Sequence, residues 1–425
     1  MTPRTRKWAC VALALVVLVV GGYFALAWWA DARLEGAKGE LAHAGIACRL
    51  IDAAGTIPPV LANSARFYEA ALAQQLELDA VGASPGKGSG EPPVEIPDDA
   101  AYAALDPAQR ARIDRWLDAN APAIAGYLAA MDTGLECRFT RRWEDGFEML
   151  LPDVAKARTG GRCLSLLVQR LAHQGGQDAL VVRHARATFA LADVYKGEPL
   201  LISQLIRANI VRHGLAAIRH AIRPDTTATQ LDALAAIVPA PTVLDGAIEG
   251  ALRGEVAASA ELLGSGQDLA LTLAMLSDGH GAGRWSYRIR PLVTYSMARY
   301  LDRGRELVAA SKGPALEAAR ACRAIEGEVD DHPYLDVISA LMLPSVSRAL
   351  LKVAELGATL EVARAVLAIE RDRRTGATLV APVAKDPFSG RTLVYRADTG
   401  AVYSVGENGT DDGGTGDDVT WTLAR

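Results

Sequence analysis

Aromatic side chains are scarce in this chain, at 6% of the whole, while alanine and leucine abound and half of all residues are apolar. That balance favours helix over sheet. A basic excess is also missing: 45 Lys and Arg face 50 Asp and Glu, for a formal net charge of −5. Nucleic-acid binding therefore has no electrostatic support. Several signatures are absent as well. The chain has no HExxH, no P-loop, no dinucleotide fingerprint and no spacing that makes a nucleophilic triad. No fixed internal period marks a repeat array such as the tetratricopeptide one. The single G-x-S-x-G, at Gly82-Ala83-Ser84-Pro85-Gly86, lies in a Gly/Ser/Pro-rich stretch with neither a strand before it nor a helix after it. A nucleophile elbow needs both.

What is present begins at the N-terminus. Arg4, Arg6 and Lys7 precede an uncharged run from Trp8 to Ala30. At about 1.5 Å per residue the run spans roughly 35 Å, enough for a bilayer core of about 30 Å. The basic flank predicts a cytoplasmic N-terminus and an extracytoplasmic body, and Trp28 and Trp29 fall where an aromatic belt belongs. Ala25-Leu26-Ala27 has the small-x-small form of a signal-peptide cleavage site. The apolar run is long for a signal peptide and reads as an uncleaved anchor.

Beyond the anchor the pattern predicts a helical stalk from Asp31 to about Gly45, then a helix from about Val60 to Ala80. Residues 82–97 are rich in Gly, Ser and Pro and read as a flexible loop. From Pro97 to about Arg374 the pattern is helical almost without break, with Asp98 and Asp99 as candidate caps. Helices are expected over Leu164–Leu171, Ala179–Tyr195 and Leu200–Ile222, separated by Gly175-Gly176 and Gly197-Glu198-Pro199. The third is apolar around most of its circumference, relieved at Gln204, Arg207, Arg212 and Arg219, and should be central. The last long helix carries an apolar stripe at Val346, Leu350, Val353, Leu360, Ala363 and Leu367. The implied boundaries are 1–30 for tip and anchor, 31–81 for stalk and first helices, 82–97 for the loop, 98–375 for the helical domain and 376–425 for a C-terminal module.

Reactive groups within the helical body are few. His213 and His220 lie seven apart and share a helix face, whereas metal-binding pairs more often lie four apart with a third ligand nearby. They read as ordinary, partly exposed histidines. His280, in Asp278–Gly283, sits in a loop that is either a cleft rim or a plain turn. Glu144, Asp145 and Glu148 follow Arg138, Arg141 and Arg142, which predicts a solvated ion-pair face rather than an acid–base pair. Asp330-Asp331-His332-Pro333 reads as a polar turn. Four cysteines lie beyond the anchor, Cys48, Cys137, Cys163 and Cys322. They allow up to two disulfides in an oxidising compartment, Cys137 with Cys163 being the pairing to test first, or equally a set of free buried thiols.

The tail is the densest in readable chemistry. Leu393-Val394-Tyr395 and Val402-Tyr403-Ser404-Val405 have strand composition, Ala397-Asp398-Thr399-Gly400 suits a hairpin loop, and Val419–Leu423 supplies a third strand. A small antiparallel sheet is expected. Between the second and third strands, Glu407, Asp411, Asp412, Asp417 and Asp418 crowd one glycine-rich loop without a Lys or Arg among them. Calcium takes six to eight hard oxygen ligands of this kind. An EF-hand is excluded, since counting Asn408 as first ligand puts Val419 at the twelfth position. Gly413–Asp418 fits the opening of a calcium-binding nonapeptide in one copy only, and Asn408-Gly409-Thr410 fits a glycosylation sequon. The alternative to a calcium loop is a solvated acidic one.

On these residues, Asp386-Pro387 with Gly390, the Tyr395/Tyr403 hairpin and the acidic loop to Trp421, the tail resembles the C-terminal β-region of the major pseudopilins of type II secretion systems. The resemblance implies calcium held by the carbonyl of Val405, the side chain of Asn408, and Asp417 and Asp418, with Asp411 and Asp412 as further candidates in the loop. Asn408 stands where aspartate is usual, which removes one charge. Ala368–Arg373 is similar to the end of the pseudopilin helix. The likeness covers roughly fifty residues, and the chain departs from a filament subunit because its apolar segment lies far upstream and lacks the Gly/Phe cleavage site. Leu135–Gly146 with Leu151-Pro152 resembles membrane-anchored bacterial proteins, which implies an architecture and no activity.

The expectation is a mainly α protein: an N-terminal transmembrane helix, a helical bundle or irregular helical array, and a small C-terminal antiparallel β-module. Its expected role is binding or scaffolding at the bacterial inner membrane, single-pass through residues 8–30, with calcium ordering the tail and an envelope protein as possible partner. The alternatives are an envelope hydrolase whose site is assembled from scattered helical residues, or an accessory of a secretion or pilus system.

Overall fold

The structure, a computed structural model, describes residues 3–78, 101–264, 290–331, 336–343, 345–377 and 384–423. The 82–97 stretch, the caps expected at Asp98 and Asp99, the loop around His280, and His332-Pro333 lie outside the described residues.

The chain is mainly α, as composition predicts. Helix α1 (Pro3–His43) is succeeded by α2 (Leu50–Ala53), α3 (Ala65–Gln74), α4 (Pro107–Ala119), α5 (Ala121–Asp132), α6 (Pro152–Gln174) and α7 (Asp178–Asp193). Then come α8 (Leu201–Ala221), α9 (Ala228–Ala235), α10 (Ala247–Gly264), α11 (Arg290–Ala310), α12 (Ala315–Asp331), α13 (Val337–Met342) and α14 (Val346–Thr375). Three short strands close the chain: β1 (Val394–Arg396), β2 (Ala401–Ser404) and β3 (Val419–Thr422). They form one antiparallel sheet in the order β1-β2-β3.

Helix α1 contains a stretch, Ala12–His43, long and apolar enough to cross a membrane. The stalk expected beyond Ala30 is not a separate element. The same helix continues to His43, and Ala30, Leu34, Ala37 and Leu41, spaced by three or four, are all buried. This stripe packs on α11, where Trp29 stacks on Tyr295 with ring centroids 5.1 Å apart. Ion pairs flank the seam: Arg33 with Asp302, Arg305 with Glu40 at 3.1 Å, and Arg290 with Asp31 at 3.6 Å.

The helix expected from Val60 begins later. Pro58 and Pro59 leave only a 3-10 turn over Val60–Ala62, and α3 starts at Ala65. Asn63 holds that entry from outside, its Oδ1 accepting from the backbone N–H of Ala65 and of Arg138, both at 3.0 Å. Helices α6, α7 and α8 pack on one another at the centre. The expected relief positions on α8 are partly misplaced: Gln204 and Arg207 are themselves buried, at 2% and 3% exposure. Gln204 donates to the carbonyls of Tyr195 and Glu198 at 2.9 and 2.8 Å, and Arg207 pairs with Asp193 at 3.0 Å. Buried polar groups are tolerated when bonded this way.

Helix α14 carries its predicted stripe inward, since Val346, Leu350, Val353, Leu360, Ala363 and Leu367 are all buried. It ends at Gly376 in the left-handed conformation, with Arg373 and Arg374 in its last turn. Both arginines pair with the fully buried Glu370, at 3.3 and 3.1 Å. One core cluster runs from Leu34 on α1 to Leu423 after β3, so the sheet shares its apolar interior with the helices.

Cys48, Cys137, Cys163 and Cys322 are free. The Cys137–Cys163 staple does not form, because the two thiols face different neighbours, Ser64 for Cys137 and Gln75 for Cys163. Burial pushes each of them up to about 12, which keeps both protonated and unreactive.

Candidate functional site

The C-terminal module is built around Asp386, which is 1% exposed. Its Oδ1 accepts from Phe388 N at 2.9 Å and Ser404 Oγ at 2.6 Å; its Oδ2 accepts from Ser389 Oγ at 2.6 Å and Val405 N at 3.3 Å. Burial works to raise this carboxyl, but the four donors outweigh it and hold it below its ordinary value. The aspartate thereby ties the Asp-Pro turn to the end of β2. The hairpin register pairs Tyr395 with Val402 and Val402 with Trp421. Val402, Trp421 and Leu423 are buried in the core shared with α14, which fixes the loop between β2 and β3 against the helices.

That loop turns its acids to one centre. Asp412, Asp417 and Asp418 each offer a carboxylate oxygen, and these atoms lie within 4.8 Å of one another. Gly414 N donates to Asp418 Oδ2 at 2.8 Å, whereas Asp418 Oδ1 is covered and has no hydrogen-bond partner among the described residues. Desolvation, and then the Asp412 and Asp411 charges, raise Asp418 above its ordinary value. The backbone must pass close by. Gly406, at φ +69, sits where a Cβ would lie 2.3 Å from the carbonyl oxygen of Asp417.

The other predicted ligands are placed differently. Asn408 is a bridge: its N–H donates to Asp417 at 2.8 Å, and its Nδ2 donates to Asp412 at 2.9 Å and to Asp417 at 2.5 Å. Its Oδ1 accepts from Thr410 N at 2.6 Å. Asp411 lies outside the carboxylate group, accepting from Tyr403 Oη at 2.8 Å and Gly413 N at 2.9 Å, with Arg396 at 3.7 Å. Val405 closes β2, its N–H taken by Asp386. A cavity of about 550 Å³ separates the acids from α12 and α14, and Arg323 of α12 reaches across it to Glu407 at 3.2 Å.

Sequence reasoning missed a second constellation. Arg141, placed on a solvated face by its neighbours, is 6% exposed and bonded to two acids. It meets Asp153 at 2.5 and 2.9 Å and Glu198 at 2.8 and 3.0 Å. Tyr195 Oη donates to Asp153 at 2.9 Å, and Ser203 Oγ donates to Glu198 at 2.6 Å. Burial opposes the arginine's charge, yet the two carboxylates hold its pKa above the ordinary value. Arg142 does behave as predicted, exposed and paired with Asp145 at 3.1 Å. A signal existed in Glu198, an acid set between Gly197 and Pro199 in a tight interhelical turn.

Beside this cluster opens a cleft of about 460 Å³, walled by α3, the 139–150 segment and the start of α6. His213, expected to be partly exposed, is buried and lines a separate cavity with Arg158 and Arg162. Neither His213 nor His220 belongs to a potential metal-ligating group among the described residues. Compared with family models, curated proteins and solved structures, the chain finds no match in any of the three.

Proposed function

We propose that this chain is a single-pass, membrane-anchored binding protein whose C-terminal β-module takes up calcium. In this reading residues 8–30 cross the inner membrane of a bacterium with the N-terminus cytoplasmic, and the helical body and module lie on the outer side. The basic Arg4, Arg6 and Lys7 before the apolar run support that orientation.

The observation that carries the calcium assignment is the convergence of Asp412, Asp417 and Asp418, with the covered Oδ1 of Asp418 left without a hydrogen-bond partner among the described residues. Oxygens gathered so closely repel one another, and a divalent cation offsets that repulsion while supplying the missing partner. The chemistry of the donors fits a hard cation, because each of the three converging ligand atoms is a carboxylate oxygen. Asn408 would join by turning its amide oxygen inward, and the resemblance to the pseudopilin β-region adds the Val405 carbonyl to the set.

The test is a calcium titration of the full chain in detergent micelles, with thermal unfolding at each concentration and magnesium as the comparison. Millimolar calcium should raise the melting temperature and protect the tail from protease, and Asp418→Ala should remove most of the gain. A melting temperature and a digestion pattern unchanged by calcium defeat the reading. The Asp153 and Glu198 carboxylates do not favour a hydrolase, since both are taken up by the Arg141 guanidinium.

A further inference from the structure

The geometry points to the cleft between α3 and α6 as the binding site for a short peptide with free ends: its ammonium meets Glu69, its carboxylate meets Lys156, and its apolar body lies between them. This inference does not depend on calcium.

The cleft has the size of a small-ligand site, since about 460 Å³ falls within the roughly 300–1,000 Å³ that such sites occupy. Its charges balance: Glu69, Asp145 and Asp153 are acidic, and Arg141, Arg142 and Lys156 are basic, three against three. Such a lining disfavours polyanions and polycations alike. Four of the six are already matched, Arg141 with Asp153 and Arg142 with Asp145. The capacity left is one group of each sign. The Glu69 carboxylate has no hydrogen-bond or ion-pair partner among the described residues. Lys156 Nζ makes one long bond, 3.4 Å to the carbonyl of Ala73, which lies one helical turn beyond Glu69 on α3. The two unmatched charges thus flank one stretch of wall.

The surface between them is apolar and firmly held. Leu72 and Phe139 are buried at 2% and 4% exposure, and the Arg141 guanidinium lies 5.0 Å from the Phe139 ring centroid. Because Arg141 is fixed by Asp153 and Glu198, that floor is set before any ligand arrives, which lowers the ordering cost of binding. At the rim Leu150 is 84% exposed, apolar area that a ligand can cover. An ammonium, a carboxylate and an apolar body between them are what a short unblocked peptide presents.

The experiment is calorimetric titration of alanyl-leucyl-alanine into the full chain in detergent micelles. The comparisons are the N-acetylated, C-amidated peptide and the variants Glu69→Gln, Lys156→Gln and, distant from the cleft, Asp232→Asn. Saturable binding of the free peptide is expected. Each cleft variant and end-blocking should weaken it by about tenfold or more, the loss of one charged hydrogen bond, while Asp232→Asn leaves it unchanged. Both cleft side chains are polar and reach solvent, so the variants should melt with the parent protein. No saturable heat with the free peptide overturns the proposal. So does equal affinity for free and blocked peptides, or affinity that neither cleft variant alters.

Discussion

The Arg141 guanidinium lies 2.8 Å from the Glu198 carboxylate, with only 6% and 2% of the two side chains exposed. Asp153, at 13%, grips the same guanidinium from another side. Breaking a buried pair by removing one partner leaves an uncompensated charge, at a cost of about 3–5 kcal/mol. Arg141→Met strands two carboxylates and should lower stability by about that amount, measured by urea unfolding of the full chain in micelles.

The two acids answer to pH in opposite senses. Burial dominates at Glu198 and raises it, whereas the Arg141 and Tyr195 bonds outweigh burial at Asp153 and lower it. A raised carboxyl gives stability that is complete below its unfolded value, about 4.3, and is lost as pH rises through the folded one. A lowered carboxyl gives stability that is complete above its unfolded value, about 3.9, and is lost as pH falls through the folded one. The pair should thus favour the folded state most near pH 4. Glu198→Gln should flatten the decline on the alkaline side while leaving the acid side in place. Thermal melts of parent and variant from about pH 2 to about pH 8 would reveal this, and parallel curves would refute it.

Helix α10 passes so close to the turn before α8 that a Cβ on Gly254 would lie 1.8 Å from the carbonyl oxygen of Pro199. Backbone cannot yield as a flexible side chain does. Gly254→Ala should destabilise by about 1–3 kcal/mol or more, read as a lowered urea midpoint with an unchanged slope.

On the module, Gly406→Ala combines an unfavourable positive φ with a collision against Asp417. It should abolish the proposed response to calcium while the far-ultraviolet circular dichroism of the helices and their melting stay close to the parent. Retention of a full calcium response would count against the convergence of the loop on one centre.

Near the C-terminal end of α1, Leu41 is fully buried where that helix meets the helical core. Leu41→Ala should cost about 2–5 kcal/mol and speed hydrogen exchange in α11, against which this part of α1 packs.

Much of the architecture was legible wherever a local pattern repeats. The stripe on α14 and the alternation in the tail each report their own burial, and strands β1 to β3 fall within about a residue or two of their expected limits. Gly175 and Gly197, both at positive φ, lie in the predicted helix breaks. The partners of Arg141 were not legible, because Asp153 and Glu198 stand 12 and 57 residues away and come together only when α6 and the turn before α8 pack. Three arginines within five residues give the look of a wetted surface, and only tertiary context separates Arg141 from Arg142. The acidic loop was visible as composition. Which of its acids converge was set by hydrogen bonds to Tyr403 and Gly414, which spacing does not encode.

The unbroken run of α1 from Pro3 to His43 leaves no joint between the apolar segment and the folded body. Where that segment crosses a bilayer, its tilt becomes the tilt of everything attached to it. The body is then mounted like a mast, with its standoff and heading fixed by one rod and unable to swing as it would on a loose tether.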